Sequence, residues 1–285
     1  MEDNDWPFFD LAQEQKNVSN SPQEVSLNMW GSCTPKTFMK TIRRTACLKP
    51  LHVALLREVL STCENAGLPV FAYAGTALGL YREGGEMLSH DYDSDLAVLE
   101  YQDAKMGSLS KLANFCLSSN IQVSGIEGFD ESPVSLRQND DIPKISHGLL
   151  SCAESLPRIK PVQLRELVQD LSNIHVDLFT LSPHPSSPVQ HLRVNWHLGN
   201  GYNSSAKLFA RDAFFPLKSM VYEDLPILAP ANLEAYLTVE YGYLGRDAMY
   251  DRETQRYVKI SDDVFRQLPA QMQKLLSRPT IEQKY

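Results

Sequence analysis

The sequence predicts a mixed α/β domain of the α+β kind. Three observations predict it: a broad helical stripe over residues 47–66, an alternating strand over 174–181, and shorter helical and strand-like runs interleaved around them. With 285 residues, 43% of them apolar, the chain has room for a full core without disulfides or a structural metal.

Taken in order, residues 1–45 are rich in Asn, Ser, Gln and Pro and read as an extended, partly disordered arm. From Cys47 to Ala66, the residues Leu48, Leu51, Leu55, Val59, Cys63 and Ala66 recur at helical spacing. Gly67 then stops the helix and Pro69 follows, the usual order of C-terminal signals. Residues 70–74 form a short strand ended by Gly75-Thr76. Residues 76–81 make a helical turn, 83–86 a loop, and 95–99 a second strand with Asp93 at its start. Residues 105–118 and 161–171 read as helices, and the Ser-, Pro- and Asp-rich stretch between them has room for a hairpin beside the site. The clearest strand is 174–181, with Ile174, Val176 and Leu178 on one face and His175, Asp177 and Phe179 on the other. Residues 183–188 turn. Residues 214–222 and 225–228 pair around Glu223-Asp224, and Pro230 opens a helix that closes at Gly242. The main domain is thus placed at 46–250, with a C-terminal extension at 251–285.

Charge and cysteine usage narrow the function. A net charge of -8 repels polyanions, and the densest basic cluster, Lys40 to Arg44, is too short to offset it, so no nucleic acid partner is expected. The cysteines Cys33, Cys47, Cys63, Cys116 and Cys152 are odd in number and form no CxxC, which excludes a zinc ribbon and a thioredoxin-type pair. They read as buried or half-buried thiols in a reducing compartment. Met1 to Trp6 carries three acidic residues and no apolar run, unlike a secretory signal. No stretch approaches the roughly 18 apolar residues of a membrane span. Sequons at Asn17 and Asn203 carry little weight without a secretory signal, and the expected location is cytoplasmic.

Chemistry concentrates between Tyr73 and Leu96. Residues i and i+2 of an extended chain share a face, so Asp91, Asp93 and Asp95 point the same way. Carboxylates that close repel unless a cation sits between them, and oxygen ligands suit Mg²⁺ or Mn²⁺. Upstream, Gly75 lets backbone N–H groups approach a phosphate, the Thr76 hydroxyl adds a donor, and Arg82 offers a charged fork. An EF-hand is excluded because Leu96 and Gln102 stand where Gly and Glu are required. An isolated D-x-D-x-D also suits a solvated loop. Asp-Ser-Asp also occurs in metal-dependent glycosyltransferases, which leaves the Gly-Thr turn unexplained. His90 and His175 flank the acidic groups and read as hydrogen-bonded bystanders.

These residues resemble the LicD/fukutin-type phosphotransferases, members of the nucleotidyltransferase superfamily that includes DNA polymerase β. The first block is Gly75-Thr76-Ala77-Leu78-Gly79-Leu80-Tyr81-Arg82, then Gly85, then Asp91, Asp93, Asp95 and Leu96. The second is the strand Val176-Asp177-Leu178-Phe179-Thr180-Leu181. The third comprises Phe215-Pro216-Leu217, Tyr222, Pro230-Ala231-Asn232, Tyr236-Leu237 and Tyr241-Gly242. Ser89-His90 replaces the family's usual Pro-Trp, which leaves open which of Asp91, Asp93 and Asp95 contact metal directly.

The resemblance implies a nucleotidyltransferase fold, a mixed sheet backed by helices, with residues 46–250 as the catalytic domain. It implies that Asp93, Asp95 and Asp177 form the metal-binding and catalytic triad, with Asp91 auxiliary and Asp177 helping to deprotonate an acceptor hydroxyl. The implied cofactor is Mg²⁺ or Mn²⁺. The implied reaction moves a phospho-alcohol group, such as phosphocholine or ribitol phosphate, from a CDP-linked donor to a hydroxyl of a glycan or glycoconjugate acceptor. Transfer of a nucleoside monophosphate by the same carboxylates, or a catalytically silent binding role, are the alternatives. Many eukaryotic relatives work in the Golgi lumen behind an anchor, so this chain is a soluble member or its anchor lies outside it.

Overall fold

The computed structural model describes residues 35–91, 93–99, 121–124, 144–147, 174–194, 207–251, 254 and 256–278. The expected arm up to residue 34 and the expected helices at 105–118 and 161–171 lie outside these residues, as do the side chains of Cys33, Cys47, Cys116 and Cys152.

Helix α1 spans Pro35–Asn65 and so begins twelve positions before the expected start at Cys47 (47 − 35). Thr45, Leu48, His52, Leu55, Leu56, Val59, Thr62 and Cys63 are its buried stripe, at the three- and four-residue spacing of a core-facing helix. Its end follows the sequence signals closely. Gly67 takes φ 65, its N–H donates to the Glu64 carbonyl (2.9 Å), and Leu68 N–H donates to the Cys63 carbonyl (2.8 Å). That is a Schellman closure, which satisfies two carbonyls the helix would otherwise leave open.

The chain then runs through β1 (Val70–Ala72), α2 (Ala74–Arg82), β2 (Asp93–Leu99), β3 (Ile121–Ser124), β4 (Lys144–His147), β5 (His175–Pro183), β6 (His191–Val194) and β7 (Phe209–Ala210). It continues through α3 (Arg211–Phe214), β8 (Lys218–Tyr222), β9 (Leu225–Ala229), α4 (Leu233–Tyr241), β10 (Ala248–Asp251), β11 (Arg256–Lys259), α5 (Asp262–Gln267) and α6 (Ala270–Leu276). The main sheet has the order β3-β4-β5-β2-β1-β9-β8, with β6 joined to β5 and β7 to β6. Strands β2 and β5 are parallel, as are β1 and β9, while β1 and β2 are antiparallel. This is the mixed sheet expected of an α+β domain. The hairpin expected within 120–161 is β3 and β4, and it lies beside β5 with Lys144 opposite Asp177.

Strand β5 is buried along nearly its whole length, because it lies between β4 and β2 in the middle of the sheet. Strands β8 and β9 pair as expected, and both residues of their turn, Glu223 (φ 49) and Asp224 (φ 62), sit in the left-handed region that a two-residue hairpin turn demands. Glu223 tolerates this because its carboxylate accepts the Met87 N–H (2.5 Å) and pairs with Lys49 (2.7 Å). An aromatic cluster backs the sheet: Tyr236 lies 4.7 Å from Phe214, 5.3 Å from Tyr73 and 5.6 Å from Phe209, centroid to centroid. The segment after residue 245 forms β10, β11, α5 and α6. Its own small core of Ile260, Leu268, Met272 and Leu276 is packed by Met249 and by Ile42 of α1. No helix among the described residues is long and apolar enough to cross a membrane.

His52, in the buried stripe of α1, carries a testable consequence. It is 2% exposed, and neither ring nitrogen has a hydrogen-bond partner among the described residues. Burial pushes its pKa down from 6.5 to about 4, with Asp93 opposing and His175 assisting. The unfolded chain therefore binds more protons between pH 6.5 and 4, so this residue's contribution makes stability fall as pH drops through that window. The expected loss is up to about 3 kcal/mol. Denaturant midpoints between pH 7 and 4.5 should fall less steeply for His52→Leu than for the wild type. Parallel slopes would show that His52 does not carry the acid sensitivity.

Candidate metal centre

The parallel register of β2 and β5 sets Asp93 opposite His175 and Asp95 opposite Asp177. Because alternate residues of a strand share a face, these four side chains emerge on one side of the sheet. His175 Nε2 lies 3.4 Å from Asp93 Oδ2 and 3.2 Å from Asp177 Oδ1. Ligand atoms of Asp93, His175 and Asp177 all lie within 4.8 Å of one another. Two carboxylate oxygens and an imidazole nitrogen are a donor set that fits a divalent cation. Without a cation, burial disfavours charge on His175, but the hydrogen bonds and charges of Asp177 and Asp93 outweigh it and push the pKa up to about 10.

Asp95 takes a different position. Its Oδ2 accepts the Gly75 N–H at 2.7 Å, and it stands outside the three-residue group. Burial, then the negative charges of Asp93 and Asp177, push its carboxyl well above the usual carboxylate range, against the opposing Gly75 hydrogen bond and His175. Three bonds stitch this residue to the strand-to-helix turn: Tyr73 N–H to the Asp95 carbonyl (3.0 Å), Gly75 N–H to its carboxylate, and the Asp95 N–H to Thr76 Oγ1 (2.8 Å). Asp91 is 2% exposed and lies outside the group as well, its carboxylate close against Gly75.

The sequence reading had Gly75, Thr76 and Arg82 meeting a phosphate. In the structure the Gly75 N–H, Thr76 Oγ1, and Arg82 Nε and Nη2 make hydrogen bonds within the chain. Gly75 and Thr76 hold Asp95. Arg82 is 8% exposed and donates from Nε to the Leu244 carbonyl (3.2 Å) and from Nη2 to the Gly245 carbonyl (3.1 Å), tying α2 to the segment before β10. The reason is topological: the segment around 244–246 returns to the end of α2, a contact that local spacing does not reveal. His175, read as a bystander, lies at the centre of the group. The signal was its alternation with Asp177 on one strand face.

Ala74 opens α2 at φ 36, a left-handed conformation costly for a residue with a Cβ. Its N–H donates to the Tyr236 hydroxyl at 2.8 Å, which pins the turn from α4. Tyr236→Phe keeps the ring packing and removes this acceptor. It should lower stability by about 1–2 kcal/mol and reduce turnover, read as a shifted denaturant midpoint and a lower kcat in a folded protein. An unchanged midpoint would show that the turn holds without Tyr236.

Residues 67–138 match the family model described as LicD/FKTN/FKRP, nucleotidyltransferase domain. Over these residues the chain is similar to a LicD-type domain. The match takes in β1, α2 and β2, and with them Gly75, Thr76, Arg82, Asp91, Asp93 and Asp95, while His175 and Asp177 lie beyond it. Among curated proteins, none matches the chain. That similarity points to a transferase of the phosphotransferase kind, with a role in glycan or cell-surface modification.

Proposed function

We propose that the chain is a divalent-metal-dependent phosphotransferase that moves a phospho-alcohol group from a CDP-linked donor to a glycan hydroxyl. The observation that carries this reading is the meeting of Asp93, His175 and Asp177 on neighbouring parallel strands, one of them inside the LicD match. A bound Mg²⁺ or Mn²⁺ would supply electrostatic stabilisation of charge on the transferring phosphoryl group. Asp93 and Asp177 would hold it. Asp177 would also take the proton of the acceptor hydroxyl as that oxygen bonds to phosphorus and CMP leaves. Asp95 is held beside the pair by the Gly75–Thr76 turn. Gly75 and Thr76 thus act on the substrate through Asp95, and Arg82 through the placement of α2. The catalytic unit in this reading runs from α1 to about residue 250, with β11, α5 and α6 as an extension packed against it.

Incubation of the protein and a divalent salt with CDP-choline, CDP-ribitol or ordinary nucleoside triphosphates separates the transferase readings. CMP release from a CDP-alcohol is the expected result. Pyrophosphate release from a triphosphate would instead establish transfer of a nucleoside monophosphate and overturn the proposal.

A further inference from the structure

We propose that His175 is itself a ligand of the divalent ion, and that this nitrogen donor tilts the site away from Mg²⁺ towards first-row transition cations, Mn²⁺ the least favoured of them. The inference rests on the metal-dependent reading above and deepens it by naming the class of ion.

Three observations carry it. First, a single atom, His175 Nε2, addresses both carboxylates, at 3.4 Å from Asp93 and 3.2 Å from Asp177. Two atoms that each lie about 2.1 Å from one ion are separated by about 3.0 to 3.4 Å at right-angled to tetrahedral openings, so these spacings are those of neighbouring ligands. Second, the arrangement is imposed by the backbone. Asp93 and His175 are register partners across β2 and β5, and Asp177 follows His175 two residues along the same face. Third, the His175 side chain is 8% exposed, and those of Asp93 and Asp177 are 15% and 10% exposed. An ion held between the carboxylates therefore meets the imidazole before it meets bulk water.

The chemistry of that nitrogen decides the preference. Magnesium favours an octahedral shell of oxygens and gains little from imidazole, whereas first-row transition cations accept an imidazole ligand more readily, Mn²⁺ least and the later ions most. A site of two carboxylates alone would discriminate less between them. One nitrogen in place of a water or carboxylate oxygen shifts the ratio without abolishing oxygen-only binding.

The test reads the metal directly. The full-length protein is loaded with Mn²⁺, with and without CMP, and the nitrogen coupling to the manganese electron spin is measured by pulsed electron paramagnetic resonance. Mg²⁺ is then titrated in to displace Mn²⁺. The expected result is a coupling typical of a directly bound imidazole, absent in His175→Gln. Mn²⁺ affinity should fall by at least about tenfold in that variant, the smallest effect usual even for partners one shell further out, and Mg²⁺ affinity should fall by less. If His175→Gln does not fold, the wild-type spectrum and a His175→Asn variant carry the same test. Bound Mn²⁺ without nitrogen coupling would overturn this inference and leave the metal-dependent function standing. Failure of the wild type to bind either ion at millimolar concentration would overturn both.

Discussion

Asp177→Asn is expected to abolish turnover while leaving the fold intact. The substitution keeps the size and shape of a residue buried on a central strand, so packing around β5 changes little. What it removes is one of two negative charges that converge on His175, together with the proposed proton acceptor for the glycan hydroxyl. Loss of a single stabilising donor at a reacting phosphoryl or acyl group costs about a hundred- to a thousandfold. Here one residue serves two roles, so the expected loss of kcat is at least about a thousandfold. Release of CMP from the reactive CDP-alcohol measures it. A loss below about tenfold would remove Asp177 from the chemistry. The neutral variant also leaves His175 with Asp93 as its remaining carboxylate within 3.4 Å, so an NMR titration of the metal-free protein should show a lower imidazole pKa than the wild type's, which is pushed up to about 10.

Gly75→Ala has the second large effect, for a steric reason. A Cβ at this position would run into the Asp91 carboxylate and come within 2.8 Å of Asp95 Oδ2. Neither group has room to yield cheaply: Asp91 is 2% and Asp95 9% exposed, and Asp95 is anchored by the Gly75 N–H itself. Relief therefore requires the turn, and with it Asp95, to move relative to β5. Displacement of a reacting group by about 1 Å costs on the order of a hundredfold in rate, and overpacking costs about 1–3 kcal/mol of stability. Gly67→Ala is the control. It also sits in a turn, at φ 65, but nothing lies within 4 Å of its would-be Cβ. It should lose about 1 kcal/mol through backbone strain and keep full turnover. Equal activity in Gly75→Ala and wild type would show that the two carboxylates do not need this close approach.

The difference between the two glycines shows where the sequence was legible. Gly67 followed by Pro69 announces a helix end in local terms, and the Schellman closure bears it out. The strand at 174–181, the β8–β9 hairpin and the helix closing at Gly242 were legible for the same reason: each is written in local periodicity and turn chemistry. The start of α1 was not. Residues 35–46 set Phe38, Met39, Ile42 and Ala46 at helical spacing, but the run is short and crowded by Thr, Lys and Arg; Ile42 packs on the C-terminal cluster and Thr45 is buried. The short, charged runs that became β10, β11, α5 and α6 were hard to place for the same reason: their core is assembled partly from a helix more than 200 residues earlier.

The site was half legible. Alternation put Asp93 with Asp95 and His175 with Asp177 on common faces, but the register that lays His175 beside Asp93 is a long-range property of β2 and β5. Likewise, a glycine at a strand-to-helix turn signals close approach without naming what approaches. Here it is two carboxylates of the chain itself.

The central claim is that Asp93, His175 and Asp177 hold a divalent cation used in turnover, and calorimetric titration with Mn²⁺ and Mg²⁺ tests it most directly when the wild type is compared with Asp93→Ala. The account predicts saturable binding and CMP release in the wild type, with both lost in the variant. Equal binding and equal turnover in the two proteins would contradict it.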